Sequence, residues 1–185
     1  QVSIVGILAV GMTFVILTGG IDLSVGSTLG LTGAVAATLL AAGTDPILAM
    51  AAAIALGFIL GAVNGVIITK GKVAPFIATL ATMTIYRGLT LVYTEGRPVS
   101  GLGDSLSFQL FGKGYFLGIP VPVVTMILAF VILYFILHKT TFGRRVYAVG
   151  GNEEASKLSG INPDRVKIAV YAITGTLAAI SALII

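Results

Sequence analysis

The sequence has few charged residues and contains neither cysteine nor tryptophan. Of its 185 residues, 10% are charged, and His138 is the single histidine. The absence of cysteine excludes disulfide bonds, thiolate catalysis and cysteine-ligated metal, and one histidine cannot build a zinc site alone. A charge content this low also argues against a soluble domain, in which about a quarter of the residues are charged.

Apolar residues make up 57% of the sequence, and glycine is abundant at 24 residues. This composition is typical of a membrane protein, in which small residues let helix backbones approach one another. The formal net charge is +4, but most basic residues lie in short connections beside apolar runs, where membrane topology accounts for them. We therefore exclude nucleic acid as a partner and expect contact with membrane lipid.

Six apolar segments approach the roughly 20 residues that a helix needs to cross a hydrocarbon core of about 30 Å. Five of them are regular and cover residues 2–18, 25–43, 46–69, 119–137 and 168–185. The sixth, 73–94, contains Pro75, several threonines and Arg87, so that it either spans the membrane or forms a broken or re-entrant helix. The predicted fold is an all-α polytopic helix bundle that forms one transmembrane domain over residues 1–185.

The positive charges of the connections predict the orientation. The loop 138–167 contains six Lys and Arg residues and is assigned to the cytoplasm. With all six segments spanning, the connection 95–118 lies outside, whereas Lys70, Lys72 and Asp22 lie inside. Every connection then agrees with the positive-inside rule, which favours six crossings over five.

Glycines recur every four residues in two segments. They share one face of each predicted helix: Gly57, Gly61 and Gly65 in one, and Gly26 and Gly30 in the other. This spacing is typical of close helix packing, which we expect at all five positions, with direct lining of a substrate path as the alternative. The neighbouring Asn64 needs a polar partner in lipid.

Asp22 lies in the stretch GGIDLSVGS, between two apolar runs. A charged side chain at the centre of the membrane costs about 2.5 to 3.5 kcal/mol on insertion scales. We interpret Gly19 and Gly20 as the end of one helix. Asp22 or Ser24 would then cap the next helix. The alternative is that Asp22 lies inside the bundle near a gate, in a hydrogen bond or ion pair that changes between two states.

The cytoplasmic loop contains signals for a short, capped helix over about 153–159. Asn152 is a good N-cap, and Glu153 and Glu154 occupy the first turn, where the helix dipole favours acids. Gly160 lies where a glycine ends a helix. A helix of this length is not stable alone in water, so it must dock, either on its own membrane domain or in a groove on a separate cytoplasmic protein.

A second helix is predicted to begin after Asn162, with Pro163 at its first position, and to continue into the last membrane segment. The two helices form an elbow.

Four stretches together resemble a known family. The first, Glu154-Ala155-Ser156 followed three residues later by Gly160, is similar to the E-A-A-x-x-x-G motif of ATP-binding-cassette importer permeases, with serine in place of the second alanine. The others are GMTFVILTGGIDLSVGS, PFIATLATMTIYRGLTLVYT and GRRVYAVGGNEEASKLSGIN. From end to end, the chain resembles the permease subunits of ribose-type monosaccharide importers, a branch that also transports other pentoses, hexoses and a sugar-like autoinducer.

The resemblance implies a transport subunit of the bacterial cytoplasmic (inner) membrane rather than an enzyme. It implies three kinds of protein partner: a second permease subunit, expected to be an identical copy, a cytoplasmic ATP-binding subunit, and a periplasmic or extracellular sugar-binding protein. No cofactor is expected in this chain, because it has no G-x-x-x-x-G-K-[ST] sequence and ATP would bind to the partner. Since the chain begins with Gln1 and ends within an apolar run, we expect an internal fragment with helices missing on both sides.

The resemblance also implies that the helix 153–159 is a coupling helix, which rests in a groove on the ATPase. The residues expected to make this contact are Gly151, Asn152, Glu153, Glu154, Ala155, Leu158, Gly160 and Ile161. Arg144 and Arg145 either pair with acids on the ATPase or lie near lipid headgroups.

A sugar path is expected to be lined by small hydroxyls and amides rather than by tight charged clamps. The candidates are Asp22, Asn64, Thr79, Thr82 and Tyr86, together with Thr84. The alternative for the threonines is a hydrogen bond to their own helix backbone. Arg87 is expected to reach the outer interface, with a role in the path as the alternative.

The second hypothesis for the function is an ion-coupled secondary transporter or channel for a small polar solute. Asp22 alone would then have to bind the coupling ion, and the capped cytoplasmic helix would have no purpose. An intramembrane enzyme is disfavoured, because the sequence offers no pair of nucleophile and base.

Overall fold

The computed structural model describes residues 2–99, 114–116 and 118–184. The helices in these ranges are α1 (Val2–Leu17), α2 (Val25–Ala41), α3 (Pro46–Thr69), α4 (Pro75–Tyr93), α5 (Val121–Lys139), α6 (Thr141–Gly151), α7 (Glu153–Leu158) and α8 (Pro163–Leu183). Two short strands, β1 (Tyr115–Phe116) and β2 (Ile119–Pro120), pair in antiparallel fashion just before α5. The predicted all-α bundle is confirmed.

The helices differ in their length relative to a membrane. Four of them, α3, α4, α5 and α8, are long and apolar enough to cross one. The apolar α1 and α2 have 16 and 17 residues, which is about 24 to 26 Å at 1.5 Å per residue. Because α3 has 24 residues and forms an antiparallel hairpin with α2, the connection 18–24 lies beside the last turns of α3 rather than beyond its end.

Helix α8 is the centre of the bundle. It packs against α1, α2 and α3, and more than half of its residues are buried. The predicted close packing of Gly57, Gly61 and Gly65 is confirmed, because all three face the backbone of α8. A Cβ atom at Gly57 would lie 2.5 Å from the Gly175 carbonyl oxygen, and one at Gly61 would overlap the Tyr171 carbonyl oxygen. Only glycine permits this separation of the two helices.

The other glycine pair does not behave in this way. A Cβ atom at Gly26 or Gly30 would meet nothing within 4 Å, so the prediction of close packing is wrong for these two within the described residues. The physical reason is that this face of α2 borders an open groove rather than a packed helix. The alternative, direct lining of a path, remains for them.

The segment predicted as 73–94 forms one unbroken helix, α4. Pro75 occupies its first turn, where the missing N–H has no intrahelical partner to lose. Of the two alternatives, the structure agrees with the spanning one, since α4 is unbroken and is long and apolar enough to cross a membrane, and the broken or re-entrant alternative is wrong.

Helix α6 differs from the sequence prediction, which assigns residues 141–151 to the loop 138–167. Its Thr140 cap accepts a hydrogen bond from the Gly143 N–H at 3.3 Å, and Gly143, Val146 and Val149 form a buried face. The predicted helices on either side of Gly160 are confirmed as α7 and α8. Gly160 itself has a φ of +80°, as a glycine that ends a helix requires.

Two contacts show that the end of α1, the end of α3 and the start of α8 lie on the same side of the bundle. The end of α1 meets α6, because a Cβ atom at Gly150 would overlap the Leu17 carbonyl oxygen. The end of α3 meets the start of α8 through the Lys70–Asp164 ion pair at 2.7 Å. This is the end that the positive-inside rule assigns to the cytoplasm.

Candidate functional site

The first candidate surface is α7, which lies at the end of the bundle that the positive-inside rule assigns to the cytoplasm. Asn152 caps it by accepting a hydrogen bond from the Ala155 N–H at 2.9 Å. Glu153 accepts a 2.6 Å hydrogen bond from Lys167 of α8, which fixes the short helix to the start of a membrane helix. Lys157 bonds Glu154 at 2.8 Å, and this hydrogen bond raises the pKa of Lys157.

The outward face of α7 is available to another molecule. The Leu158 side chain is 91% exposed, and that of Glu154 is 82% exposed. Of the residues predicted to contact an ATPase, Glu153 and Ile161 are half-buried, and the rest are exposed: Gly151, Asn152, Glu154, Ala155, Leu158 and Gly160. Their contact with an ATPase stays a prediction.

The second candidate is a polar cluster at the connection between α1 and α2. Asp22 is 2% exposed, and its Oδ1 atom accepts hydrogen bonds from the Ser24 N–H at 2.9 Å and from the Ser24 hydroxyl at 2.7 Å. The Ser24 Oγ atom in turn accepts a 2.7 Å hydrogen bond from the Asn64 amide of α3. Asp22 therefore lies inside the bundle and also bonds an N–H at the start of α2. The Ser24 side chain does not cap the helix.

Two tyrosines complete the cluster. Tyr86 of α4 donates its hydroxyl to the Leu60 carbonyl oxygen at 3.0 Å and lies 3.4 Å from the Asn64 Oδ1 atom. Tyr171 of α8 donates its hydroxyl to the Ile21 carbonyl oxygen at 3.0 Å. The polar cluster of Asp22, Ser24, Asn64, Tyr86 and Tyr171 thus joins α3, α4 and α8 to the α1–α2 connection.

The structure brings together three of the predicted path residues, Asp22, Asn64 and Tyr86. Thr79 and Thr82 are buried but donate to carbonyl oxygens of their own helix, at 2.8 Å and 3.2 Å, and Thr84 does the same at 3.2 Å. These bonds agree with the alternative stated for the threonines. The sequence reasoning did not find Tyr171, although a buried tyrosine hydroxyl needs a partner.

A groove of about 460 Å³ lies between α2 and α4. Its lining residues are Leu23, Gly26, Ser27, Gly30, Met83, Arg87, Thr90 and Leu91. Arg87 is exposed and lines this groove, as its alternative role in a path requires. The ion pairs found within residues 2–99, 114–116 and 118–184 do not include Arg87. Within the same ranges no cluster of His, Asp and Glu is arranged to hold a metal ion.

Residues 1–185 match a family described as branched-chain amino acid transport system / permease component. The ribose import permease protein of Bacillus subtilis (strain 168) is 60% identical over all of this chain and 58% of its own length. The ribose import permease protein of Escherichia coli (strain K12) is 52% identical, with the same coverage of both proteins. An L-arabinose transporter permease of Azospirillum brasilense is 41% identical over 95% of this chain and 51% of its own length.

This chain spans 58% of the length of the ribose import permeases it matches. No solved structure matches it.

Proposed function

The chain belongs to the family of branched-chain amino acid transport system / permease components, and on that premise we propose that it is the membrane part of an ATP-binding-cassette importer for a ribose-like monosaccharide. The observation that carries the proposal is the 60% identity, over the whole chain, to a protein named as a ribose import permease. The family description refers to amino acids, but relatives at 39 to 41% identity are named for arabinose and allose. A monosaccharide is therefore the favoured substrate class.

The energy for transport would come from a separate ATPase. The sequence has no G-x-x-x-x-G-K-[ST] loop to cradle ATP phosphates. Helix α7 offers a docking element, because its Asn152 cap and its Glu153–Lys167 bond hold a six-residue helix that could not persist alone. The exposed Leu158 supplies an apolar anchor, and Glu154 supplies a charge at its edge.

We propose that the α2–α4 groove forms one side of the sugar path. Ser27 and Thr90 offer hydroxyl groups and Arg87 offers guanidinium donors that can bond sugar hydroxyls, so the groove has one charged group besides the small hydroxyls expected of a sugar path. Because the groove is open on one side, we propose that a second copy of the permease closes it. A sugar-binding protein would deliver the substrate at the outer end, in a bacterial cytoplasmic membrane.

The test of the docking role is Glu154→Lys in the full-length protein that contains this chain. We expect normal membrane insertion and loss of the co-purifying ATPase, because the reversed charge lies on the outward face of α7, where 82% of the Glu154 side chain is exposed. The matched control is Glu95→Lys. It makes the same exchange at an exposed residue just after the end of α4, which the positive-inside rule assigns to the other side of the membrane from α7. Unchanged association in Glu154→Lys would refute the docking role.

The substrate class is tested in vesicles with the ATPase and the binding protein present. We expect ribose to stimulate ATP hydrolysis and leucine to leave it at the basal rate. Stimulation by leucine alone would refute the sugar assignment, and solute movement without any ATPase would favour the ion-coupled alternative.

A further inference from the structure

The connection between α1 and α2 is held from two sides by helices that are distant in sequence. Tyr171 of α8 donates to the Ile21 carbonyl oxygen, and Asn64 of α3 donates to the Ser24 hydroxyl. Unwound backbone packed against a helix bundle needs such partners, because a buried polar group left unsatisfied destabilises the folded state. The position of this connection therefore depends on α8 and α3 together.

Helix α8 also links the connection to the cytoplasmic surface. Lys167, in its first turns, bonds Glu153 of α7 at 2.6 Å. Tyr171 follows four residues later, so the two side chains lie on the same face of α8. A displacement of α7 is thus passed through a little more than one turn of helix to the hydroxyl that holds Ile21.

The same connection leads into the groove. Leu23 lies between Asp22 and Ser24 in the chain and lines the groove directly, while Arg87 on the opposite wall follows Tyr86. Asn64, which is 0% exposed, contacts both sides, since its amide donates to Ser24 and its oxygen lies 3.4 Å from the Tyr86 hydroxyl. Asn64 therefore ties the two groove walls together, in addition to the direct contact between α2 and α4.

Asp22 orients the Ser24 hydroxyl that connects Asn64 to the α1–α2 connection. The Ser24 hydroxyl has one proton, which it donates to Asp22, so that its lone pairs remain to accept from Asn64. Asp22 and Asn64 are both buried. The two hydrogen bonds from Ser24 to Asp22 and the one from Asn64 to Ser24 are therefore stronger than in water, and leaving any of them unmade is costly. The buried acid thus holds Ser24 in the orientation that the cross-link needs.

On the basis of the proposed function, we infer that Tyr171, Asp22 and Asn64 are positioning residues for transport, which make the width of the α2–α4 groove follow the position of α7. Tyr171 passes the movement to the α1–α2 connection. Asp22 and Asn64 pass it to the two walls. None of the three residues needs to touch the sugar.

The experiment uses the full-length protein in vesicles with its ATPase and binding protein. Tyr171→Phe removes only the hydroxyl that holds Ile21. We expect the amount of sugar moved per ATP hydrolysed to fall about 5-fold or more, the low end of typical coupling between sites, while the ATPase still co-purifies. The groove is monitored with Met83→Cys, on its α4 wall, in a full-length protein whose cysteines outside residues 1–185 are replaced by serine, since residues 1–185 contain none.

In the reporter variant with Tyr171 intact, we expect the rate of thiol labelling at position 83 to change when ATP is added. When Tyr171→Phe is added to the reporter variant, the rate of thiol labelling should no longer change with ATP. A purely structural loss would lower expression or uptake without abolishing this response to ATP.

Two control variants separate the proposed role from general damage. Thr174→Val removes another buried hydroxyl of α8, which donates to the Gly11 carbonyl oxygen of α1 at 3.1 Å, away from the connection. Tyr134→Phe makes the same chemical change on α5, where the side chain is 60% exposed. Both should keep the parental ratio of sugar to ATP. An equal loss in Thr174→Val, or a parental ratio in Tyr171→Phe, would overturn the inference.

A second variant keeps the inference testable if Tyr171→Phe does not fold. Lys167→Met removes the ion pair between α7 and α8 but leaves the connection 159–162 intact, and we expect it to lower the ratio of sugar to ATP. Lys70→Met, its control, breaks an ion pair to the start of α8 that comes from α3 instead, and it should keep the ratio. If the parent protein shows no ATP-dependent uptake, the proposed function fails. If the parent couples and Lys167→Met couples equally well, the inference alone fails.

Discussion

The interface where Gly57, Gly61 and Gly65 of α3 meet α8, here called the α3–α8 seam, and the α2–α4 groove are both lined by glycines spaced four residues apart. The two differ in what these glycines face. In the seam, glycine brings two backbones together, and a Cβ atom at Gly65 would lie 2.6 Å from the Ile168 Cα atom. In the groove, Gly26 and Gly30 face open space. The same spacing therefore serves close packing in one place and a smooth, unobstructed wall in the other.

The difference separates a fixed part of the molecule from a part that is free to change. Packed interfaces have discrete arrangements rather than a continuous range, so we expect α3 and α8 to move as one body. Helices α2 and α4 also contact each other, but around the groove, within the described residues, their walls are joined through the hydrogen bonds of the polar cluster rather than through close backbone approach. Changes of shape during transport are therefore expected at α2 and α4.

The largest effect is expected from Gly61→Ala in the seam. The new methyl group would overlap the Tyr171 carbonyl oxygen and lie 3.0 Å from the Ala172 Cα atom. Backbone atoms cannot turn aside as a flexible side chain does, so the helices must separate. We expect a loss of about 1 to 3 kcal/mol or more, as in other overpacked interiors, measured as a lower midpoint of thermal unfolding in detergent.

Gly26→Ala is the matched variant in the groove. Its methyl group meets nothing within 4 Å, and alanine favours a helix over glycine by about 1 kcal/mol. We expect an unchanged or slightly higher midpoint. If both variants lowered the midpoint equally, the distinction between seam and groove would be wrong.

An intermediate effect is expected from Asn64→Leu, which keeps the branched shape and the number of side-chain heavy atoms of asparagine but cannot bond Ser24. Removal of one partner of a buried hydrogen bond costs about 1 to 3 kcal/mol. Thr79→Val is the comparison, because this equally buried hydroxyl bonds only its own helix at Pro75. We expect thermal unfolding to show a larger loss for Asn64→Leu than for Thr79→Val. The reverse order would contradict the bridging role of Asn64.

The membrane segments and the short cytoplasmic helix were predictable because their signals are local. Apolar length marks a span, and Asn152 and Gly160 mark the ends of α7 by their own backbone preferences. Helix α6 was missed because the arginine pair 144–145 interrupts its apolar pattern. Its buried face forms only against other helices, as where Gly143 meets the Leu137 carbonyl oxygen.

The polar cluster shows where sequence reasoning fails. Asp22, Asn64 and Tyr86 were noticed because polar groups in an apolar run need partners, but which groups pair depends on the crossing of the helices. Tyr171 and Ile21 are 150 residues apart in the chain, so no local pattern relates them. The threonines of α4 were predictable from local chemistry alone, since a carbonyl oxygen four residues earlier is always within reach.

The smallest effect on stability is expected from Lys70→Met at the cytoplasmic end of the seam. Its ion pair with Asp164 measures 2.7 Å, but 64% of the lysine side chain is exposed. Water and salt screen such a pair, which contributes about 0 to 1 kcal/mol. We expect a slight lowering of the unfolding midpoint at low salt that vanishes at high salt. A loss as large as that of Gly61→Ala would mean that charge, rather than close backbone packing, holds α3 against α8.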